Sequence, residues 1–395
     1  MSVDNSPSPL INSHLSVDIV TTTEGFEAIH GQWDVLFQSA NEAKVFQSFT
    51  WNYAWWKAFG LGCDLAIIIV REKDRIMGLA PFMVRHRLGV PQVEPIGSDQ
   101  YAYFGVLIEG DRQDVIQAIG DCLNHTYPSG LIHFPYYNVA DSSVNILGAT
   151  LAAAGWREAR WQRNIARCVL ADSNYETYMM TKSQKVRYNL RREQRKLEEQ
   201  HQMDVAHFFG SDIDDRVILR MANIQKRSWL SRRGADTVDA GALNVMIRAL
   251  GREGMAEVFI LTLSELDVAF ILNFCSARCA HCISIAFDET FLSLSPGKVL
   301  MSICIKTLLD RGINAYDFLF GDGEYKRFWA NRTILVFRSV CYRGLRSWVL
   351  SWIPHRLSGK LARYDLLRDF LGKARSVRKK FLAKKDRMIS PGSQK

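Results

Sequence analysis

The sequence predicts a mixed α/β (α+β) protein: two similar modules in tandem, each a mixed, largely antiparallel sheet flanked by helices, followed by a basic helical tail. Three observations carry this. The chain has 395 residues, more than one ordinary domain holds. Short runs rich in Ile, Val and Phe alternate with stretches of helical period. The order of helices, strand meander, helix and closing strand occurs twice, which suggests a duplication even though no residue-level repeat is visible.

Residues 1–16 lack the basic start and apolar run of a secretory signal and read as a disordered leader. The first module is expected over 17–172. SVDIVTT reads as a strand, FEAIHGQWDVLFQSA as a helix, and FTWNYAWWKAFG as a second helix with Trp51, Ala54, Trp55 and Ala58 at helical spacing. LAIIIVRE, RIMGLAPFMVRH and YFGVLIE read as strands, separated by the turn Glu72-Lys73-Asp74 and by a Gly/Pro-rich turn region over 89–97. Helices around 115–123 and 144–154 alternate with strands LIHFPYY and ARCVLA.

The second module is expected over 173–343. It opens with a charged helix at 181–200, TKSQKVRYNLRREQRKLEEQ, whose Val186, Leu190 and Leu197 share one stripe. Two readings of its basic side chains stay open. Lys182, Lys185, Arg187, Arg191, Arg192, Arg195 and Lys196 form either a solvated face or a surface that meets phosphates. Helices at 212–230 and 240–251 precede the strands AEVFILTL, DVAFILNFCS and AHCISIAFD. A turn at 292–297, a helix to 310, strand AYDFLF, a glycine turn and strand TILVFRSVCY complete the module.

The net charge of +9 is unevenly placed. From Arg343 onward there are 15 Lys/Arg against 3 Asp/Glu, which leaves 35 basic and 38 acidic residues before it. The basicity therefore belongs to residues 344–395 and not to the modules. There Leu357, Leu361, Tyr364, Leu367 and Leu371 recur at helical spacing among Arg356, Lys360, Arg363 and Arg368, after the tryptophans of SWVLSWI. Such a helix suits peripheral contact with an anionic membrane surface, or packing on the protein's own body.

No window of eighteen apolar residues appears, and the eight cysteines are scattered, as in a cytoplasmic protein with reduced thiols. Cys275, Cys279, His281 and Cys282 crowd one segment. They fall on two strands beside a short turn, where alternation buries thiols as small apolar groups, so no metal is expected. No P-loop, Gly-x-Gly-x-x-Gly or Gly-x-Ser-x-Gly motif occurs, so nucleotide hydrolysis and serine-hydrolase chemistry have no motif support.

The most informative segment is 287–329, FDETFLSLSPGKVLMSICIKTLLDRGINAYDFLFGDGEYKRFW. Ser295 is placed to cap a helix, Pro296 suits its first turn, Val299, Leu300, Ile303 and Leu308 form its buried stripe, and Gly312 stops it. Free N–H groups, a glycine and Lys298 at that end make a physical site for a diphosphate.

The segment resembles the hallmark region of the CelD/BcsL-type acetyltransferases, a GNAT branch related to the Fem-type peptidyltransferases. The shared features are Ser295-Pro296-Gly297, Asp317-Phe318, Gly321-Asp322-Gly323, Tyr325-Lys326 and Phe328-Trp329. FQSFTWNYAWWKAF, IMGLAPFM and SQKVRYNLRREQRKLE resemble the family's upstream elements in the same order. The resemblance spans roughly residues 17–344 and implies two tandem GNAT-like modules. It further implies acyl transfer from acetyl-CoA or another acyl-CoA, with the pyrophosphate held by Ser295, Pro296, Gly297, Lys298, Val299 and Leu300.

Acyl transfer needs a proton acceptor, an oxyanion site and a departing thiolate. Asp317, Asp322 and Glu324 are candidate bases, Tyr325 a candidate proton donor to the thiolate, and Lys326 a candidate charge partner. Lys185, Arg187, Arg191 and Asp288 are candidate acceptor-binding residues. The implied acceptor is a sugar or cell-envelope precursor, in exopolysaccharide or cellulose biosynthesis. Two alternatives stand beside it: a Fem-like transferase drawing on aminoacyl-tRNA, the one setting in which a nucleic acid is expected, and a non-catalytic GNAT-derived scaffold. A Fem-like transferase would carry a long paired-helix arm between the halves, whereas one charged helix is visible here.

Overall fold

A computed structural model describes residues 14–40, 43–97, 102–110, 112–171, 174–232 and 238–348. The expected leader and basic tail lie outside these residues, apart from 14–16 and 344–348.

Among the described residues thirteen strands form one sheet. In chain order they are β1 (Leu15–Val20), β2 (Asp64–Glu72), β3 (Arg75–Arg87), β4 (Val90–Pro95), β5 (Leu107–Ile108), β6 (Gly130–Asn138) and β7 (Arg157–Leu170), then β8 (Met203–Phe209), β9 (Ala256–Leu263), β10 (Leu266–Cys275), β11 (Cys279–Phe287), β12 (Ala315–Phe320) and β13 (Arg332–Arg343). The spatial order is β1-β2-β3-β4-β6-β13-β7-β12-β11-β10-β9-β8, with β5 on β3.

The duplication legible in the element order has a physical counterpart. Each half is an antiparallel meander ending in a parallel pair, β4 with β6 and β11 with β12. The halves then exchange closing strands. β7, from the first half, pairs with β12 of the second, while β13, from the second, pairs with β6 of the first, and β7 and β13 pair with each other at the centre.

Alternation along the strands assigns the cores. Leu65, Ile67 and Ile69 of β2 and Phe270, Leu272 and Phe274 of β10 share one core on a common face. It is covered by the helices Thr23–Ala28, His30–Ser39, Phe49–Phe59, Asp215–Lys226 and Gly241–Arg252. On the opposite face each half has its own core. Ala66, Ile68 and Val70 pack with the helices Gln113–Thr126 and Ser142–Ala153. Ala269, Ile271 and Cys275 pack with Tyr175–Met180, Gln184–His201 and Pro296–Asp310. Burial on both faces explains why AIIIV and AFIL read as unbroken apolar runs.

Several elements differ from the sequence expectation. The 89–97 region holds β4 and is not a turn. Its Pro91 and Pro95 sit opposite His86 and Phe82, and a strand with only two residue pairs to its other neighbour needs few donors. YFGVLIE is a strand only at Leu107–Ile108. ARCVLA is the end of a longer strand, because β7 has partners on both sides. The 212–230 helix is Asp215–Lys226 followed by the short Trp229–Arg232. β8, with its polar sequence MDVAHFF, and the helix Glu324–Trp329 had no clear periodic signal. Among the described residues no helix is long and apolar enough to cross a membrane.

Candidate active site

The site grows from a fork in the sheet. β11 and β12 pair in parallel only at Cys279↔Ala315, Ala280↔Tyr316 and His281↔Asp317. Beyond that point β12 leaves β11 but stays with β7, which it already pairs from Ala315↔Leu170 to Asp317↔Cys168. After a register shift Phe320 stands opposite Ala166 and the Gly321 N–H donates to the Ile165 carbonyl over 2.9 Å. The departure passes through Leu319, a non-glycine residue at φ +56°.

Two buried groups hold that bend. The Asp317 carboxylate accepts the Leu319 N–H at 2.7 Å. The Lys326 ammonium donates to the carbonyls of Phe318 (2.6 Å), Leu319 (3.3 Å) and Phe320 (2.6 Å). Burial pushes the Asp317 carboxyl up and the Lys326 amine down from their ordinary values. Both therefore act first on the backbone, setting the width of the fork.

Inside the fork lies a cavity of about 300 Å³. Trp51, Met246 and Phe274 form one wall, Ile283 and Ser284 of β11 the second, and Phe318, Leu319 and Phe320 the third. A second cavity, of about 590 Å³, opens at the start of the helix Pro296–Asp310, between Ser295, Pro296, Gly297 and Lys298 on one side and Phe287, Phe328 and Trp329 on the other. Ile285 and Tyr325 line both. The Tyr325 hydroxyl makes no hydrogen bond to another described residue, and burial raises its pKa, so the phenol stays protonated.

At the helix start, Ser295 is left-handed (φ +54°) and its hydroxyl caps nothing, contrary to the expected N-cap. Its carbonyl instead accepts the N–H groups of Lys298 and Val299 at 3.0 and 3.2 Å. Gly297 passes so close to the Phe287 ring that a Cβ would stand 3.1 Å from it. Lys298 bonds Glu193 of the charged helix at 3.0 Å and lies 5.0 Å from the Phe328 ring centre. Val299 and Leu300 are buried in the core, so only their backbone could serve a ligand.

The other predicted residues are placed as follows. Asp322 is bridged by Arg167 at 2.9 Å and Arg327 at 3.0 Å, and lines neither cavity. Asp288 caps the turn Glu289–Leu294 through Thr290 and pairs with Arg227 at 2.6 Å. Burial opposes its charge, but these partners hold its carboxyl below the usual range. Glu324 lines the larger cavity. Lys185 and Arg191 are exposed on the charged helix and line neither cavity. Arg187 donates to the Lys182 carbonyl at 2.5 Å, while the Lys182 amine donates to the carbonyls of Phe328 (2.9 Å) and Trp329 (2.8 Å). The turn that leads into the charged helix thus latches the short helix that carries Tyr325.

The four crowded cysteine and histidine positions divide between faces. Cys275 and Cys282 sit in the second half's own core. His281, with Cys279 Sγ 3.6 Å away, is packed edge-on against Phe46, whose ring lies 4.7 Å off in the shared core. Burial, then the nearby Lys44 charge, pushes the His281 imidazole down to about 3. Above its ordinary value the ring is neutral in folded and unfolded chains alike. Below it only the unfolded chain takes up the proton, so stability falls as pH drops. Between pH 7 and 5, the wild type should lose about 2 kcal/mol more stability, read by urea unfolding, than His281→Gln. Equal losses in the two proteins would mean that the ring is solvated.

Sequence reasoning missed the residues brought in from afar. Trp51, Met246 and Asn164 line the fork cavity, and Tyr103 sits beside the Asp317 carboxylate. Burial and that carboxylate push the Tyr103 phenol up, while the phenol favours the Asp317 charge against the burial that opposes it. Trp51 was visible as a helical aromatic, but nothing local says that its ring reaches the second half.

The first half has its own fork, since β4 and β6 pair only at Gln92↔Leu131 and Val93↔Ile132. There the chain fills the gap itself. Ala102 to Val106 are buried, and the Phe104 N–H donates to the Tyr136 carbonyl at 2.7 Å. About 20 Å³ remains, room for roughly one water.

Residues 184–327 match the family described as Acetyltransferase (GNAT) domain, so the second half contains a GNAT-type acetyltransferase domain. No curated protein matches the chain. Among solved structures, FemX is similar over 82% of this chain and 96% of its own, at TM-score 0.59 and 12% identity. A conserved protein of unknown function from Bacteroides thetaiotaomicron VPI-5482 is similar over 83% of this chain and 100% of its own, at TM-score 0.54 and 11% identity. The C-terminal domain (DUF2156) of a putative lysylphosphatidylglycerol synthetase from Agrobacterium fabrum is similar over 85% and 97%, at TM-score 0.52 and 11% identity. At these identities the likeness is one of fold.

Proposed function

We propose that this chain, an acyltransferase by virtue of its GNAT-type domain, moves an acyl group from a coenzyme A thioester to an amine. The donor enters through the cavity at Gly297 and the acceptor occupies the fork. One observation carries the reading: the two cavities share Tyr325, a protonated phenol whose hydroxyl makes no bond to another described residue.

The chemistry follows from what lines each space. The backbone of β11 beyond His281 has no strand partner on the β12 side, so N–H groups there are available to a thioester and to the oxyanion formed from it. Tyr325 donates a hydrogen bond to the departing sulfur. Among the described residues lining the fork cavity there is no carboxylate. A hydroxyl acceptor would need such a base, whereas an amine can enter neutral and release its proton to water after attack. That favours N-acylation.

The acceptor walls are apolar and aromatic, and the resemblance to CelD/BcsL-type enzymes supports an amino sugar of an envelope or exopolysaccharide precursor. An aminoacyl-tRNA donor is the competing reading. Between β7 and β8 the described residues form one short and one long helix, Tyr175–Met180 and Gln184–His201, and not a paired arm.

The test is a thermal-shift titration with acetyl-CoA, CoA and dephospho-CoA on the wild type and Gly297→Trp. A ligand at a hundred times its dissociation constant stabilises by about 2.7 kcal/mol. The wild type should show that gain saturably and the variant should lose it, because the indole would fill the donor cavity. Absence of stabilisation at millimolar acetyl-CoA would remove the thioester reading.

A further inference from the structure

We propose that Arg338 and Arg163 form an oxyanion subsite beside the fork cavity, which takes a phosphoryl or carboxyl group carried by the acceptor. This rests on the acceptor occupying the fork, and it adds what that acceptor must carry.

Three links place the pair. Asn164, next to Arg163, lines the cavity and sits opposite Val336 of β13. Phe320, another wall residue, stacks on Tyr136 with ring centres 4.7 Å apart. Arg338 lies within electrostatic reach of Tyr136 and carries its guanidinium 5.8 Å from the Trp161 ring centre.

The electrostatics of Arg338 are unsettled in the protein alone. Its Nε is buried without a hydrogen-bond partner, and it makes no ion pair among the described residues. Burial lowers its pKa, and Arg163 adds like-charge repulsion. Tyr136 and Glu94 act the other way, but Glu94 is ion-paired to Arg85. Two arginines, with Glu94 already matched, leave a net positive site on which a planar guanidinium fork can grip an oxyanion. An anion held by the ends of the two guanidinium groups would screen the repulsion.

The experiment titrates CoA-saturated protein with inorganic pyrophosphate calorimetrically, with acetate as a carboxylate arm. Saturating CoA keeps the donor cavity occupied, and its own binding is measured first. The wild type should bind one equivalent of anion. Arg338→Met, which keeps the stem against Trp161, and the exposed Arg163→Gln should each weaken it about tenfold, with Arg338→Lys between, while CoA affinity is unchanged. Stronger binding of pyrophosphate than acetate would assign the group as phosphoryl, and the reverse as carboxyl. No anion binding, or wild-type affinity in both variants, would overturn the subsite while leaving the acyltransfer reading intact. Failure of CoA to bind would instead count against that reading.

Discussion

Tyr325→Phe lowers kcat for acyl transfer about a hundredfold and leaves both CoA affinity and thermal stability unchanged. The phenol ring packs edge-on against Phe318, centres 6.1 Å apart, and that packing survives in phenylalanine. The hydroxyl bonds no other described residue, so its removal orphans nothing and costs the fold little. What is lost is a hydrogen bond to the departing sulfur, formed only as charge develops there. Interactions confined to the transition state act on kcat and not on binding, and a positioned proton donor contributes about 10²–10⁴ in rate. Steady-state kinetics with CoA binding measured separately decides it. A variant with full kcat would return Tyr325 to the status of a core aromatic.

Lys326→Met gives the opposite signature, with stability and activity falling together. The ammonium serves three carbonyls at a bend that Leu319 enters with positive φ. Methionine matches the stem but leaves those carbonyls without their donor. Allowing for some rescue by water, the loss is about 3 kcal/mol, read from urea unfolding. A direct catalytic lysine would behave differently, since its loss would reduce turnover in a protein of normal stability.

These variants also show how far the sequence carries. The apolar runs of β2, β9, β10 and β11 and the helix from Pro296 were legible because both their period and their stops are local. Tyr325 and Lys326 were legible as candidates through the motif, but their division of labour was not. It depends on a bend six to eight residues upstream, which no pattern announces. β4 was read as a turn because its prolines outweigh its alternation, and β8 was passed over because an edge strand needs only one apolar face. Ser295 looked like a cap, since Ser-Pro usually is one; its left-handed backbone was set by the turn before it. The arginines Arg163 and Arg338 carried no signal in the sequence, because only the pairing of β7 with β13 brings their strands together.

That exchange governs how the molecule can be made. While a nascent chain is still on the ribosome, β6 and β7 are complete, yet the strand that separates them has not been translated. The first half must therefore wait with open strand edges, which are templates for wrong pairing. Closure joins β6 to residues near 340, a long loop to bring together, and sheets built from such distant pairings form slowly. Neither half can be excised as a self-sufficient unit, because each would leave with the other's closing strand missing. The protein is expected to become native only once β13 has been made, as one cooperative body.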